Sequence, residues 1–272
     1  MPRLGVLGWP VAHSRSPAMH NAALTALGME DWRYQLLPVP PERFAETVRA
    51  LPGAGFVGAN VTIPHKHSAL ALADTAGEAA RAIGAANTLT FAPDGAIAAQ
   101  NTDAPGFLAA LGVSPRGMSA LVLGAGGAAR AVVWALRNAG AGEVSVWNRT
   151  PERAAVLAGE LGARAVTTPE VADLLVNCTS VGLESEPANL KQSATEAAGL
   201  NLPAVTFDQV GNYSHVVDLV YRSSPTPLLA AARSHGAHTV GGLEVLLAQG
   251  ALSFELWTDR PAPLQVMRRA LD

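Results

Sequence analysis

The chain has 272 residues, enough for one large domain or two modest ones, and its 19 Lys and Arg against 22 Asp and Glu give a formal net charge of -3. Without a run of like charge there is no basic face for a nucleic acid or an anionic membrane, and the expected partner is a small molecule. The single cysteine, Cys178, excludes an internal disulfide, no stretch approaches the roughly 20 apolar residues of a bilayer span, and the N-terminus lacks the pattern of a secretory signal, so a soluble cytoplasmic protein is expected.

Short β-branched or apolar runs alternate with alanine- and leucine-rich stretches, the pattern of parallel α/β architecture with helices on both sheet faces. The spacing predicts strands at 4–7, 34–39, 55–62 and 87–91, with helices at 17–27, 42–50 and 67–73. Pro93-Asp94-Gly95 marks a turn inside 91–100 and predicts a hairpin. A short helix at 104–111 then leads to a second series that restarts the fold, with strands at 120–123, 144–147, 164–166, 174–177 and 216–221. A long helix at 243–257, a proline break and a last helix at 264–271 end the chain. Periodicity leaves open which domain this tail joins.

Leu121-Val122-Leu123-Gly124-Ala125-Gly126-Gly127-Ala128-Ala129-Arg130 sets a glycine turn between an apolar strand and an alanine-rich helix. Gly124 allows the tight turn, Gly126 lets a pyrophosphate approach the backbone, and the helix start offers unpaired N–H donors; Ala129 stands where the fingerprint usually has its third glycine. The next strand ends in Asn148-Arg149-Thr150-Pro151-Glu152-Arg153, without the acidic residue that would hold the ribose 2'-hydroxyl of NAD. Arg149 and Arg153, with Asn148 and Thr150, suit a 2'-phosphate instead, which favours NADP; Thr150 is also expected to cap the following helix.

Only two of the 19 cationic residues are lysines, and Lys66 closes Asn60-Val61-Thr62-Ile63-Pro64-His65-Lys66, a strand running into a proline-marked turn. An ammonium can exchange a proton where a guanidinium cannot, so Lys66 is a candidate for acid–base chemistry, against the plain alternative of a surface lysine left over from an arginine bias. After the first strand, Gly8-Trp9-Pro10-Val11-Ala12-His13-Ser14-Arg15-Ser16-Pro17-Ala18-Met19-His20-Asn21 leads into a helix whose start could offer the Ser14 and Ser16 hydroxyls to an anion; in isolation it reads as a serine-capped helix.

Taken with Gly84-Ala85-Ala86-Asn87-Thr88, Asn101-Thr102-Asp103-x-x-Gly106, Asn177-Cys178-Thr179-Ser180-x-Gly182, Asp218-Leu219-Val220-Tyr221 and Thr226-Pro227-Leu228-Leu229, these motifs run in order through nearly the whole chain. The sequence resembles the shikimate dehydrogenase family. The resemblance implies two α/β domains: an N-terminal substrate-binding domain of residues 1–103 completed by 239–272, and a Rossmann-type NADP-binding domain of 104–238, with an active-site cleft between them; the connections at 104–111 and 238–242 are expected to act as a hinge. It implies reversible NADP-dependent reduction of 3-dehydroshikimate to shikimate, a step toward the aromatic amino acids.

Carried over by position, the resemblance assigns Ser14, Ser16 and Tyr221 to the substrate carboxylate, Thr62, Asn87 and Gln249 to its hydroxyls, and Asn60 to the same pocket. Lys66 and Asp103 flank the carbon that changes oxidation state, Lys66 exchanging the proton and Asp103 orienting the hydroxyl. The cofactor set implied is Glu78, Gly124, Ala125, Gly126, Gly127, Ala128, Asn148, Arg149, Thr150, Arg153, Thr179, Ser180, Leu219, Gly242 and Val245. Val245 stands where the family commonly has methionine, Ser223 where it has proline, and Cys178 where it has alanine; Cys178 reads as a small buried hydrophobe.

Other classes fit less well. Tyr34, Tyr213 and Tyr221 lack the lysine four residues on that a short-chain dehydrogenase needs, and His65, His67 and Cys178 lack metal-ligand spacing, so no metal is expected. Quinate dehydrogenase is the nearest rival within the family, and a ligand-sensing module without turnover is the non-enzyme rival; Lys66 and Asp103 weigh against the latter. A homodimer is the one protein association expected.

Overall fold

The computed structural model describes residues 1–181, 205–222 and 224–272, so that Gly182 and Ser223 lie outside the described residues. The chain forms two compact units, Met1–Ala109 with Leu246–Asp272, and Ala110–Val245.

The first unit contains β1 (Arg3–Gly8), α1 (Ser16–Ala26), β2 (Arg33–Pro38), α2 (Phe44–Ala50), β3 (Phe56–Val61), α3 (Lys66–Leu72), β4 (Thr75–Ala76), α4 (Glu78–Ile83), β5 (Thr88–Phe91), β6 (Ile97–Gln100) and most of α5 (Asp103–Leu111). Its sheet order is β2-β1-β3-β5-β6-β4. Central β1 and β3 are buried almost throughout, which is why their sequences run apolar or small without alternation, whereas edge strand β2 buries only Tyr34. Leu7, Phe44, Val48, Phe56, Val61, Leu89 and Ile97 build the core on one side; Leu4, Val6, Val11, Tyr34 and Trp257 pack together in another cluster.

The expectation of parallel pairing is corrected in this unit. β3 and β5 run antiparallel, whereas β5 and β6 form the expected hairpin, because the turn closed by Ala92, Ala96 and Gly95 (φ 89°) reverses the chain too tightly for a crossover. β4 and α4 have no counterpart among the expected elements; two residues of strand carry no period.

The second unit contains β7 (Ala120–Leu123), α6 (Gly127–Asn138), β8 (Val144–Trp147), α7 (Pro151–Leu161), β9 (Arg164–Val166), β10 (Leu174–Asn177), α8 (Phe207–Val210), β11 (His215–Asp218), α9 (Pro227–Ser234) and β12 (His238–Gly241), and α10 (Gly242–Thr258) begins there. All its strand pairs are parallel, in the order β12-β11-β10-β7-β8-β9. That is the doubly wound order 3-2-1-4-5-6 read from the β9 edge, with β7 at the point where the winding reverses. Leu121, Leu123, Leu175, Val216, Leu228 and Leu229 fill one face, and α6 buries Ala129, Val132, Val133 and Leu136.

The last helix, α11 (Leu264–Arg269), packs on α1, where Arg15 Nη1 donates to the Leu271 carbonyl at 2.9 Å, so the tail belongs to the first unit. The unit boundaries fall after Ala109 and Val245 rather than at 103/104 and 238/239: β12 pairs with β11, while α5 packs against Gln249 through Gly106. The strand expected to reach Tyr221 stops at Asp218, whose carboxylate takes the Val220 N–H out of the ladder. No described helix is long and apolar enough to cross a membrane.

Candidate active site

In the first unit four of the expected residues are hydrogen-bonded into one cluster. Lys66 opens α3 and Asp103 opens α5, where a carboxylate is favoured by the helix dipole. Lys66 Nζ donates to Asp103 Oδ2 at 2.5 Å, with the two side chains only 13% and 17% exposed. Asn87 Nδ2 lies 2.9 Å from Asp103 Oδ1, 2.9 Å from Thr102 Oγ1 and 3.1 Å from Gln249 Oε1. The Thr102 N–H donates to Asn87 Oδ1 at 2.7 Å, which fixes the amide orientation and points its NH2 at the acid. The Lys66 carbonyl accepts from the Ala86 N–H at 2.9 Å, so the backbone holds lysine and asparagine in register.

A layer beneath braces this cluster. Ser253 Oγ lies 2.9 Å from Thr88 Oγ1 and 3.1 Å from Thr102 Oγ1, and accepts from Asn60 Nδ2 at 2.9 Å. Asn60 Nδ2 also reaches the Asn87 carbonyl and Thr88 Oγ1, each at 3.2 Å, and its Oδ1 accepts from the Tyr34 hydroxyl at 2.8 Å. Both ends of the Asn60 amide are thus engaged within the protein, and the residue is 5% exposed. Thr88, Thr102 and Ser253 were not singled out for a role. Ser253 could have been, because it follows Gln249 by four residues on one helix face.

Ser14 and Ser16 form a separate local arrangement: the Ser16 N–H donates to Ser14 Oγ at 3.3 Å, with Ser16 buried as the first residue of α1. Thr62 follows β3 and donates its N–H to the Leu7 carbonyl at 2.8 Å; no hydrogen bond joins these three side chains to the lysine cluster among those described. His65 is no free ligand, since its Nε2 sits 2.7 Å from the Val39 carbonyl and its ring stacks on Phe44. Burial lowers its pKa, against the raising effect of the Val39 bond. Among the described residues no group of three or more metal-binding side chains occurs. Glu78 opens α4, exposed.

In the second unit the expected cofactor residues collect at the C-terminal ends of parallel strands, where open α/β sheets bind ligands. Gly124 to Gly126 join β7 to α6, whose first turn holds Gly127 and Ala128; Asn148, Arg149 and Thr150 join β8 to α7, whose first turn holds Arg153; Thr179 and Ser180 follow β10, and Leu219 and Tyr221 follow β11. Gly124 has φ 109°, and a Cβ there would lie 3.2 Å from the Cys178 carbonyl group, so this position requires glycine. A Cβ on Gly126, the N-cap of α6, would meet nothing within 4 Å, and no side chain caps that helix. Open space beside uncapped N–H groups is the setting a pyrophosphate fits. Arg149 and Arg153 are exposed. Thr150 is the N-cap of α7, but its side chain makes no capping bond, contrary to expectation; Pro151 opens the helix, and Asn148 Nδ2 donates to the Thr150 carbonyl at 2.9 Å. Gly242 opens α10 against the Leu219 carbonyl, and Val245 is buried three residues on.

Comparison with known proteins matches residues 6–89 to the shikimate dehydrogenase substrate binding domain, 110–181 to shikimate / quinate 5-dehydrogenase, and 242–271 to the shikimate 5'-dehydrogenase C-terminal domain. The chain is 44% identical over 284 residues to the shikimate dehydrogenase (NADP(+)) of Paracoccus denitrificans, covering 99% of this chain and 95% of that protein. The chain belongs to the shikimate dehydrogenase family. A second shikimate dehydrogenase (NADP(+)), from Methanopyrus kandleri, is 44% identical over 98% of this chain and 94% of its own length. The crystal structure of shikimate 5-dehydrogenase from Thermus thermophilus in complex with NADP(H) and shikimate superposes with a TM-score of 0.85 at 43% identity, covering 99% of this chain and 98% of that one. The first unit holds a lysine–aspartate cluster, and the second holds a glycine turn at the start of α6.

Proposed function

We propose that the chain catalyses the reversible, NADP-dependent interconversion of 3-dehydroshikimate and shikimate, with Lys66 and Asp103 as the catalytic pair. The observation that carries this reading is the largely buried Lys66–Asp103 contact at 2.5 Å, braced by Asn87. Oxidation of an alcohol removes a hydride from carbon and a proton from oxygen, and reduction reverses both. NADP, when bound, supplies the hydride acceptor. Lys66 takes or returns the hydroxyl proton, while Asp103 holds the ammonium and orients the hydroxyl. Asn87, Gln249 and Thr62 read the other hydroxyls, and Ser14, Ser16 and Tyr221 read the carboxylate. Asn60 acts one step back, fixing the Asn87 backbone and Ser253. The first turn of α6 receives the pyrophosphate, with Arg149 and Arg153 at the 2'-phosphate.

Steady-state kinetics of two variants, with shikimate binding measured separately, test the assignment. Lys66→Ala is expected to lower kcat by roughly two to four orders of magnitude while shifting shikimate affinity much less, because proton transfer contributes in the transition state. Asp103→Asn, which keeps the shape and loses the charge, is expected to follow it. Unchanged turnover in Lys66→Ala removes the lysine from the chemistry.

A further inference from the structure

One buried acid has no part in the reaction just described. Asp218 ends β11 at 2% exposure, and its carboxylate accepts from three segments. Asn177 Nδ2 at the end of β10 reaches it at 2.8 Å, the Val220 N–H at 3.1 Å, and Thr226 Oγ1 at the start of α9 at 2.6 Å. Two of these donors carry the connection further. Asn177 Oδ1 accepts from the Thr179 N–H at 3.1 Å and the Thr179 hydroxyl at 2.8 Å; Thr226 Oγ1, the N-cap of α9, accepts from the Leu229 N–H at 3.3 Å. Burial pushes the Asp218 carboxyl up, while the bonds from Thr226, Val220 and Asn177 pull it back.

A carboxylate this deep costs stability, and an aliphatic side chain would fill a strand end without that cost. What only the carboxylate supplies is simultaneous acceptance from several directions. Both of its oxygens are used, so the loop after β10 and the loop after β11 are tied to one point. The first loop carries Thr179 and Ser180 and abuts Gly124 through Cys178; the second carries Leu219 and Tyr221.

We infer that Asp218 is a positioning residue that sets Thr179 for the cofactor and Tyr221 for the substrate carboxylate. The inference rests on the proposed function for the roles of those two groups.

The test uses full-length variants, with KM and kcat for shikimate oxidation and, independently, NADPH binding titrated by its fluorescence without substrate. Asp218→Ala strands three donors and is expected to raise the shikimate KM and the NADPH dissociation constant on the order of tenfold, with kcat changed about threefold or less. Asp218→Asn can still accept from Asn177 and Val220 while its amide donates to the Thr226 oxygen, and is expected to return both constants to within about threefold of the parent. In a Tyr221→Phe background the shikimate part of the Asp218→Ala loss should vanish, because the positioned hydroxyl is gone. If Asp218→Ala does not fold, Thr226→Val removes one donor and should shift both constants the same way, by less. Unchanged constants in whichever of these two variants folds would overturn the inference. So would losses that Asp218→Asn does not rescue and that multiply with Tyr221→Phe, since that is the mark of a purely structural role. A parent chain that binds NADPH without oxidising shikimate would count against the proposed function instead, leaving the NADPH titration to judge Asp218.

Discussion

Arg149 is exposed, and the proposed function sets it at the 2'-phosphate that distinguishes NADP from NAD. Arg149→Ala is expected to raise KM for NADP on the order of tenfold or more and leave that for NAD almost unchanged, because only NADP carries the group that a guanidinium grips bidentately. Steady-state titration of both cofactors checks this; equal losses would mean that Arg149 supports its loop and reads no phosphate. His20 gives a residue-scale prediction of a different kind. It is fully buried, stacked on Tyr34 at 4.3 Å, with neither ring nitrogen hydrogen-bonded, and burial lowers its pKa from 6.5 to about 3. Between those values the unfolded chain binds a proton that the folded chain refuses, so stability falls as pH drops through that window, by up to about 1.4 kcal/mol per unit from this group. His65 and His215, also lowered, act in the same direction. His20→Phe keeps a ring on Tyr34 and should flatten the acid limb, read as urea midpoints at pH 7 and 5; an unchanged difference between the two pH values would clear His20 of the effect. The aromatic wall around His20 comes from β2 and α10, far away in sequence, so no local motif reports its burial.

At the scale of elements, the close contact of α5 with α10 sets where Gln249 stands. A Cβ on Gly106 would lie 2.6 Å from Gln249 Cβ and 2.7 Å from its backbone, so Gly106 lets the two helices approach at that point. Gly106→Ala must push α10 away, and overpacking of this kind typically costs about 1–3 kcal/mol. The displacement carries Gln249 from Asn87, so shikimate KM should rise together with the loss of stability, as measured by denaturation and initial rates. A destabilised variant with the parental KM would show that the contact supports the fold alone. Elements with a clear period or a turn signal were legible in the sequence: β7 and its glycine turn, the hairpin at Pro93-Asp94-Gly95, and long α10. β4, α4 and the antiparallel pairing of β3 with β5 were not, because two-residue strands have no period and pairing direction is decided by the path between strands.

The whole chain shows how far the site could be read from sequence. The second unit is continuous, so strand, turn and arginine pair lie within one stretch that spacing alone could interpret. The first unit is completed only by Leu246–Asp272, which brings Gln249 to Asn87 and Ser253 to Asn60, Thr88 and Thr102 across more than a hundred residues. No local pattern reports such a contact. Lys66 stands out in the sequence as one of two lysines, at a strand running into a turn, and Asp103 through the family resemblance, whereas the bracing layer is visible only in the folded chain. The central claim, that the chain carries out an NADP-dependent reaction on shikimate, is tested most directly by initial rates of the purified chain with shikimate and with quinate, each offered NADP and NAD. The account predicts ready formation of NADPH from shikimate, with kcat/KM on the order of tenfold or more lower for quinate or for NAD. No turnover of shikimate with NADP, or a preference for quinate or NAD, would contradict it.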